Sequence, residues 1–324
     1  MKLTTIALEH GPVPAALLTS GKLVDLAAAA EAGLIGPGRV AALADILDIN
    51  SPTCQATRKF VDRLESNDGA LLDQLASLAA LHDEETATYA PMLRPGLLFA
   101  CGMAYHAHLK EMGITAPPPE PSGFMKSPNS IIANNQPIVL PAFDPDMVDF
   151  ECELACVIGR PLYQATPAEA MASIAGYTLL NDVSLRTAAA GWAEALKGTD
   201  PGKASRFHKG IINGKQLATF GPLGPVIETA DTFGDPADFR IETRLNGELM
   251  QVGESTDLVF SIGHSLAYFS QWYGFMPGDV FSTGSPAGVG FARNPPRMLR
   301  GGDVVELSCQ KIGLLSNPVV AEKA

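Results

Sequence analysis

The clearest alternation of hydrophobic and polar positions runs from residue 148 to residue 158. The odd-numbered positions in its first half are acidic: Asp149, Glu151 and Glu153. Such a period of two predicts a β-strand with two chemically different faces. Taken alone, the acidic face is more typical of a half-buried strand in water, since neighbouring carboxylates otherwise need a cation. The even-numbered positions are all apolar: Val148, Phe150, Cys152, Leu154, Cys156 and Ile158.

The first 90 residues predict a small unit with both strands and helices. Strands are expected at 2–8 and 15–18, followed by an alanine-rich helix that ends near Gly33. Residues 68–82 carry apolar side chains at helical spacing, with Asp68 as the candidate N-cap. We therefore predict an N-terminal α+β domain over residues 1–90.

Turn residues and short apolar runs dominate the remainder, residues 91–324. Thr166 to Glu169 forms a capping-box sequence with proline at the first helical position. Residues 239–250 predict a hairpin that turns at Asn246-Gly247, and 261–273 predict a helix with Ile262, Leu266, Phe269 and Trp272 facing inward. The turn-then-strand pattern at 277–283 and 301–307 favours a barrel or roll. The fold class is therefore α+β, mostly β, with a second domain over 91–324.

Composition and charge indicate a globular protein and argue against several classes of partner. The chain has 324 residues, 46% hydrophobic and 18% charged, which is typical of a globular protein. The net charge of −12 argues against nucleic acid and against an anionic membrane surface as partners. Apolar runs stay shorter than the roughly 20 residues that span a bilayer. The five scattered cysteines fit a reducing cytoplasm, where we expect the protein.

His108 and Glu111 are the first candidates for acid–base chemistry. They follow a buried strand predicted at 97–101 and are three residues apart, so on a helical turn they share a face. Glu111 can orient the imidazole or share a water molecule with it. The alternatives are a structural histidine and a metal pair formed by His106 and His108.

Asp182 is the third carboxylate that we pair with Glu151 and Glu153. It follows a strand predicted at 177–180, although an aspartate there can also serve as a turn or N-cap residue. The proline-rich stretch 114–122 is a candidate lid, and 189–214 is a polar excursion near the site. The glycine-rich stretch 284–290 matches neither a dinucleotide fingerprint nor a phosphate loop.

Six motifs in a shared order resemble those of the fumarylacetoacetate hydrolase family. The resemblance covers nearly the whole chain and is strongest from about residue 97 to 318. The motifs are Gly-x-x-Tyr-x-x-His-x-x-Glu (102–111), Glu-x-Glu (151–153), Asn-Asp-Val-Ser-x-Arg (181–186), Lys-x6-Pro-Leu-Gly-Pro (215–225), Pro-Gly-Asp…Thr-Gly-Ser-Pro-Ala-Gly-Val-Gly (277–290) and Gly-Gly-Asp-Val-Val-Glu with Gly-Leu-Leu-Ser-Asn-Pro-Val (301–319).

The resemblance implies a fold, a metal and a set of roles. The family's C-terminal domain is a mixed β-roll that usually forms a homodimer, and its divalent cation is Mg²⁺ or Mn²⁺, with Ca²⁺ also accepted. Here the metal ligands would be Glu151, Glu153 and Asp182. The remaining implied residues are His108 and Glu111 as the water-activating pair, Lys215 as the catalytic lysine, and Tyr105, Lys126, Arg186 and Thr283 in the substrate pocket.

Three departures from the family pattern lie near that pocket. Ala104 stands where asparagine is common, Ala218 stands where aspartate is frequent, and the segment between Arg186 and Lys215 is longer than usual. They concern the choice of substrate more than the metal site.

Three carboxylates make an all-oxygen site, which suits a hard cation. We expect a hydrolase that cleaves a carbon–carbon bond in an acylpyruvate or another 1,3-diketo acid, with His108 and Glu111 activating water and Lys215 stabilising the oxyanion or protonating the leaving carbon. The alternatives are a lyase or isomerase of the same family (2-oxo acid decarboxylase, hydratase, dehydratase of a 2-keto-3-deoxy sugar acid, or tautomerase) and a non-catalytic small-molecule binder.

Overall fold

A computed structural model describes residues 1–36, 38–187 and 212–322 of the chain. Most of the predicted excursion at 189–214 lies outside these residues. The strands are β1 (Lys2–Leu8), β2 (Gly11–Leu17), β3 (Lys22–Asp25), β4 (Leu81–Asp83), β5 (Leu98–Gly102), β6 (Ser122–Lys126), β7 (Ile131–Ile132), β8 (Ile138–Leu140), β9 (Val148–Asp149), β10 (Cys152–Ile158), β11 (Ile174–Asn181), β12 (Ser184–Leu185), β13 (Gly221–Thr229), β14 (Arg240–Leu245), β15 (Glu248–Glu254), β16 (Val280–Ser282), β17 (Val304–Cys309) and β18 (Gly313–Ala321).

The helices are short and lie between the strands. They are α1 (Leu26–Glu31), α2 (Pro52–Glu65), α3 (Gly69–Ser77), α4 (His106–Glu111), α5 (Pro167–Ala172), α6 (Ala230–Phe233) and α7 (Ile262–Ser270). Single 3-10 turns occur at Leu43–Ile46, Pro128–Ser130, Pro145–Met147, Asn213–Lys215, Ser255–Asp257 and Gly290–Ala292.

Two mixed sheets and a small ladder organise these strands. The large sheet has the order β4-β3-β2-β1-β13-β11-β10-β16-β5-β6, with β7 added beside β13. The second sheet has the order β15-β14-β17-β18-β8, and β9 pairs separately with β12. Most pairs are antiparallel, whereas β16 with β5, β13 with β7 and β18 with β8 are parallel. The prediction of a mostly β, α+β fold with mixed sheets is confirmed.

The N-terminal strands continue the large sheet. Leu3 of β1 pairs with Ile227 of β13, and both side chains lie in one hydrophobic core with Val157 of β10. The boundary that we placed at residue 90 stays a prediction, since sheet and core both extend across it.

Several local predictions are confirmed. The Asp68 carboxylate accepts a hydrogen bond from the Leu71 amide at 3.2 Å, and Thr166 with Glu169 forms the capping box. The hairpin turns at Asn246 and Gly247, whose φ angles are 53° and 82°. These positive angles are those of the tight turns that Asn-Gly sequences favour.

Other predictions were wrong in extent. The helix expected over 68–82 ends at Ser77, because the chain turns at Ala79 with φ of 53° and pairs again as β4. The sequence reading also missed α2, the longest helix that the structure describes. Trp272, which we expected to face inward, is 70% exposed because α7 ends at Ser270.

The single strand expected over 148–158 was wrong in extent, because the structure divides it into β9, which pairs with β12, and β10, which lies in the middle of the large sheet. β10 is bonded to β11 on one side and to β16 on the other. The even-numbered side chains, including Cys152 and Leu154, pack in one core, whereas Ala155 and Val157 pack in the other. Both faces are therefore buried, and the acidic face is not the solvated surface that alternation alone favours.

All five cysteines are buried and free, as expected for small core residues. Among the described residues, every helix is too short or too polar to cross a bilayer.

The hairpin turn gives a test of the fold. An alanine at Gly247 or at Gly274 would meet no atom within 4 Å, but only Gly247 has a positive φ, 82°. We expect Gly247→Ala to lower the free energy of unfolding by about 1 kcal/mol, because a β-carbon is strained in that conformation. The matched control, Gly274→Ala, should change it by less than about 0.5 kcal/mol in denaturant titrations. Equal effects of the two variants would contradict this account of the turn.

Candidate metal centre and acid–base pair

The three predicted metal ligands lie together. One carboxylate oxygen from each of Glu151, Glu153 and Asp182 falls within 4.8 Å of the others. Pairing of β10 with β11 places Cys152 opposite Asn181, which brings the residues beside them into register. The Asn181 side chain accepts a hydrogen bond from the Glu151 amide at 3.0 Å, and the Asp182 amide donates to the Glu151 carbonyl at 2.8 Å. All three carboxylates are buried.

Two lysines enter this cluster from other strands and turns. The Lys215 ammonium lies 2.7 Å from Glu151 Oε2 and 2.7 Å from Ser184 Oγ, and it also contacts Asp182 Oδ2. The Lys126 ammonium, at the end of β6, lies 2.8 Å from Asp182 Oδ1. Burial alone would lower the pKa of Lys215, but the Asp182 and Glu151 carboxylates outweigh burial and raise it. Lys215 is therefore a charged member of the cluster.

Arg186 adds a third cation through the β9–β12 ladder. Ser184 pairs with Asp149 there, and the Arg186 amide donates to Met147 at 2.7 Å. The guanidinium donates to Asp149 Oδ2 at 2.9 Å and contacts Glu151 Oε1. Burial would raise the pKa of Glu151, but Arg186 and Lys215 lower it well below its usual range.

Glu153 differs from the other two ligands. Its oxygens accept hydrogen bonds from Ser285 Oγ at 2.8 Å and from Ser282 Oγ, and it has no ion pair among the residues that the structure describes. Burial, strengthened by Asp182 and Glu151, raises the pKa of Glu153 to about 8. Without a further cation, the neutral acid is therefore favoured at neutral pH.

This donor set fits a hard divalent cation. All three groups are carboxylates, and Asp182 Oδ1 is buried with the Lys126 ammonium at 2.8 Å but with no hydrogen bond of good geometry among the described residues. Mg²⁺ and Mn²⁺ prefer such oxygen ligands. Glu151, Glu153 and Asp182 would hold the ion, and its charge would allow Glu153 to ionise.

His108 and Glu111 form a hydrogen-bonded pair on α4. His108 Nδ1 lies 2.9 Å from Glu111 Oε2, and Glu111 Oε1 accepts from the Gly288 amide at 2.9 Å. Because the carboxylate only accepts, the imidazole proton belongs on Nδ1 and Nε2 is the free base. Asp257 accepts from the Ala107 amide at 3.0 Å and so fixes the start of the helix. Ser285, three residues before Gly288, donates to Glu153 Oε1 at 2.8 Å, so one short stretch of chain joins the pair to the acidic cluster.

The four residues that we expected in the substrate pocket are more deeply buried than such a role suggests. Tyr105 and Thr283 are buried, and within the described ranges neither hydroxyl has a hydrogen-bond partner of good geometry. Lys126 donates to the Lys215 carbonyl at 2.6 Å, and Arg186 is held by two carboxylates. Contact of these four residues with substrate stays a prediction.

Sequence reasoning missed several residues of the site. Asp149 was left without a role although it shares the acidic strand pattern, and Ser285 lies in the glycine-rich stretch that we singled out. Ser282 and Ser184 were not singled out, although each is within two residues of a predicted site residue. Gln251 carries no local signal, yet its side-chain oxygen accepts from the amide of Cys152, between two of the candidate metal ligands, at 3.1 Å.

Comparison with known proteins identifies the family of this chain. The family model described as fumarylacetoacetate (FAA) hydrolase C-terminal matches residues 98–320. The human protein named oxaloacetate tautomerase FAHD2A, mitochondrial, is 38% identical over 245 residues, which cover 76% of this chain and 73% of that protein. Oxaloacetate tautomerase YisK of Bacillus subtilis (strain 168) is 33% identical over 237 residues, which cover 72% of this chain and 73% of that protein.

A solved structure extends the similarity to the full length. Fumarylacetoacetate hydrolase from Exiguobacterium antarcticum has a TM-score of 0.71 and 28% identity, with 99% of this chain and 100% of that chain covered. The sequence motifs, the mixed sheets and the matched family model lead to one conclusion. This chain belongs to the fumarylacetoacetate hydrolase family.

Proposed function

We propose that this protein is a metal-dependent tautomerase that interconverts the enol and keto forms of a small 2-oxo acid. The observation that carries the proposal is a buried triad of carboxylates, Glu151, Glu153 and Asp182, joined to the hydrogen-bonded His108–Glu111 pair through the stretch 284–290. The similarity to two proteins named oxaloacetate tautomerases supports a 2-oxo dicarboxylic acid as the substrate class. The relatives and the solved structure reported above are named as tautomerases and a hydrolase, so a non-catalytic binder is the weaker alternative.

The chemistry needs one proton to move and one negative charge to be stabilised. A divalent cation at the triad would supply a Lewis acid for the charge that develops on the 2-oxo oxygen. His108 Nε2 removes the proton from the carbon next to the 2-oxo group, while Glu111 stabilises the resulting imidazolium. His108 then returns the proton to the oxygen, which gives the enol; the reverse sequence gives the ketone.

Tautomerisation fits Lys215 better than the carbon–carbon hydrolysis that we first expected. Hydrolysis assigns Lys215 to the oxyanion or to the leaving carbon, but its ammonium is already held by Glu151, Asp182 and Ser184. Tautomerisation requires no leaving group and no attacking water. Hydrolysis of a 1,3-diketo acid stays the second candidate, because the His108–Glu111 pair can also activate water.

The remaining proposals follow from the same site. Mg²⁺ or Mn²⁺ is the proposed cofactor, and a small 2-oxo acid is the proposed partner. Arg186, with its side chain 14% exposed, is the candidate for contact with a substrate carboxylate. The homodimer and the cytoplasmic location implied by the sequence stay predictions.

The proposed reaction can be followed directly. Enol-oxaloacetate is added to the Mg²⁺-loaded protein, the loss of enol absorbance is recorded, and the products are separated. We expect faster ketonisation without carbon–carbon cleavage. Glu153→Gln removes a proposed ligand and should lower kcat/KM by at least about 100-fold, because Lewis-acid stabilisation contributes several kcal/mol. Glu228→Gln, a buried glutamate of β13 outside the site, is the matched control.

Three results would overturn the proposal. Enzymatic formation of pyruvate and carbon dioxide would identify the protein as a lyase. Cleavage of an acylpyruvate at a higher kcat/KM than that for enol-oxaloacetate would identify it as a hydrolase. Full activity after exhaustive chelation would remove the metal from the reaction.

The role of His108 is tested separately from metal binding. His108→Gln should lower kcat by about 10²- to 10⁴-fold, because a positioned acid–base group contributes that much. The dissociation constant of Mg²⁺, measured by calorimetry, should stay unchanged, since His108 is not among the three proposed ligands. His264→Gln changes an exposed histidine stacked on Phe260 and serves as the control. Loss of Mg²⁺ binding in His108→Gln would move His108 into the ligand set.

A further inference from the structure

One loop connects the acidic cluster with the acid–base pair. This loop, residues 284–291, follows β16 and carries contacts to both parts of the site. At its start, Ser285 Oγ donates to Glu153 Oε1 at 2.8 Å. Three residues later, the Gly288 amide donates to Glu111 Oε1 at 2.9 Å. The position of the loop therefore sets the position of Glu111 relative to the triad.

Asp149 holds the far end of the loop. Its side chain is fully buried, and Oδ1 accepts from the Gly290 amide at 2.8 Å. Oδ2 accepts from the Phe291 amide at 3.1 Å and from Arg186 Nε at 2.9 Å. One carboxylate thus joins two consecutive loop amides to the arginine that contacts Glu151.

Gln251 holds the near end of the loop. Its Nε2 donates to the Pro286 carbonyl at 2.9 Å. Its Oε1 accepts from the Cys152 amide at 3.1 Å and from Thr243 Oγ1 at 2.8 Å. Because Cys152 lies between Glu151 and Glu153, this buried amide connects the loop to the backbone of the metal ligands.

Close packing keeps the segment between these two anchors in place. Gly288 has φ of +100°, and a β-carbon there would lie 2.2 Å from the Met250 carbonyl oxygen. The loop thus lies directly on the backbone of β15 and has no space to move toward it. The Gly288 amide, which donates to Glu111, lies between the two anchors.

We propose that Asp149 and Gln251 are positioning residues, which hold loop 284–291 so that the Gly288 amide fixes Glu111 and thereby the tautomer and orientation of His108. The proposal rests on the proposed function for the role of His108 as the base. Neither residue needs to touch the substrate. Since small misplacements of a catalytic group cost up to about 100-fold in rate, loosening the loop should lower turnover.

The test uses the Mg²⁺-saturated protein and two variants. Asp149→Asn removes the charge that binds Arg186 and one acceptor oxygen, and Gln251→Met keeps the side-chain length but removes its hydrogen bonds. Glu111→Gln serves as the positive control. The matched negative control is Asp279→Asn, since Asp279 is also buried and accepts from the Leu97 and Met276 amides at 2.8 and 2.7 Å, outside the site.

Two measurements separate positioning from mere structural support. The first is NMR of ¹⁵N-labelled histidine, which reports the His108 tautomer without turnover; His108→Gln identifies its signals. The second is kcat against KM in the enol-oxaloacetate assay. In the wild type we expect the Nδ1-protonated tautomer. In both variants the nitrogen signals should move toward a mixture of tautomers, and kcat should fall about tenfold or more with KM within threefold.

Asp279→Asn should leave both readouts unchanged. An unchanged His108 tautomer in folded Asp149→Asn and Gln251→Met would overturn the proposal, whatever the reaction is. If Asp149→Asn does not fold, Gln251→Met decides alone. If the His108 tautomer shifts in the two variants but the wild-type protein turns over no 2-oxo acid, the positioning role stands and the proposed function is rejected.

Discussion

A buried imbalance of charge governs this structure. Four carboxylates and three cations lie together in the described part of the chain: Asp149, Glu151, Glu153 and Asp182, with Lys126, Arg186 and Lys215. Removing such charges from water costs several kcal/mol each unless they are paired. Among these residues, Glu153 is the carboxylate that forms no ion pair. Its pKa is raised because it is buried beside Asp182 and Glu151. A divalent cation would supply the positive charge that Glu153 lacks, and Lys215, which contacts two of the three proposed ligands, would have to share their oxygens with it.

The surrounding fold holds these charges where the chemistry needs them. β10 is a central strand, so the carboxylates of Glu153 within it and of Glu151 just before it lie inside the protein and not at its surface. The neighbouring strands and turns supply hydroxyls and lysines, and loop 284–291 relates the cluster to His108 and Glu111. An acid–base pair at a fixed place beside a cation is what enolisation requires. Hydrolysis, decarboxylation and tautomerisation can all use a cation beside an acid–base pair. The side chains around these groups determine which of the three reactions takes place.

Local sequence patterns predicted much of the fold and the chemistry of the site. Alternation predicted one strand over 148–158, which the structure divides into β9 and β10. The three-residue spacing predicted the contact of His108 with Glu111, and the end of β11 indicated Asp182. The same patterns could not show that both faces of β10 are buried, since that depends on the order of strands in the sheet. The link from Gln251 to Cys152 spans 99 residues and has no periodic signal. Local spacing describes local geometry, whereas contacts between distant segments depend on the folded topology.

The most direct test of the central claim is a crystal of the protein grown with Mn²⁺ and measured for anomalous scattering. We predict one strong anomalous peak per chain at coordination distance from Glu151, Glu153 and Asp182, with the Lys215 ammonium moved away from the shared oxygens. Manganese bound elsewhere, or an unchanged ion-pair cluster with no peak at saturating Mn²⁺, would contradict the claim that this imbalance of charge is a divalent metal site.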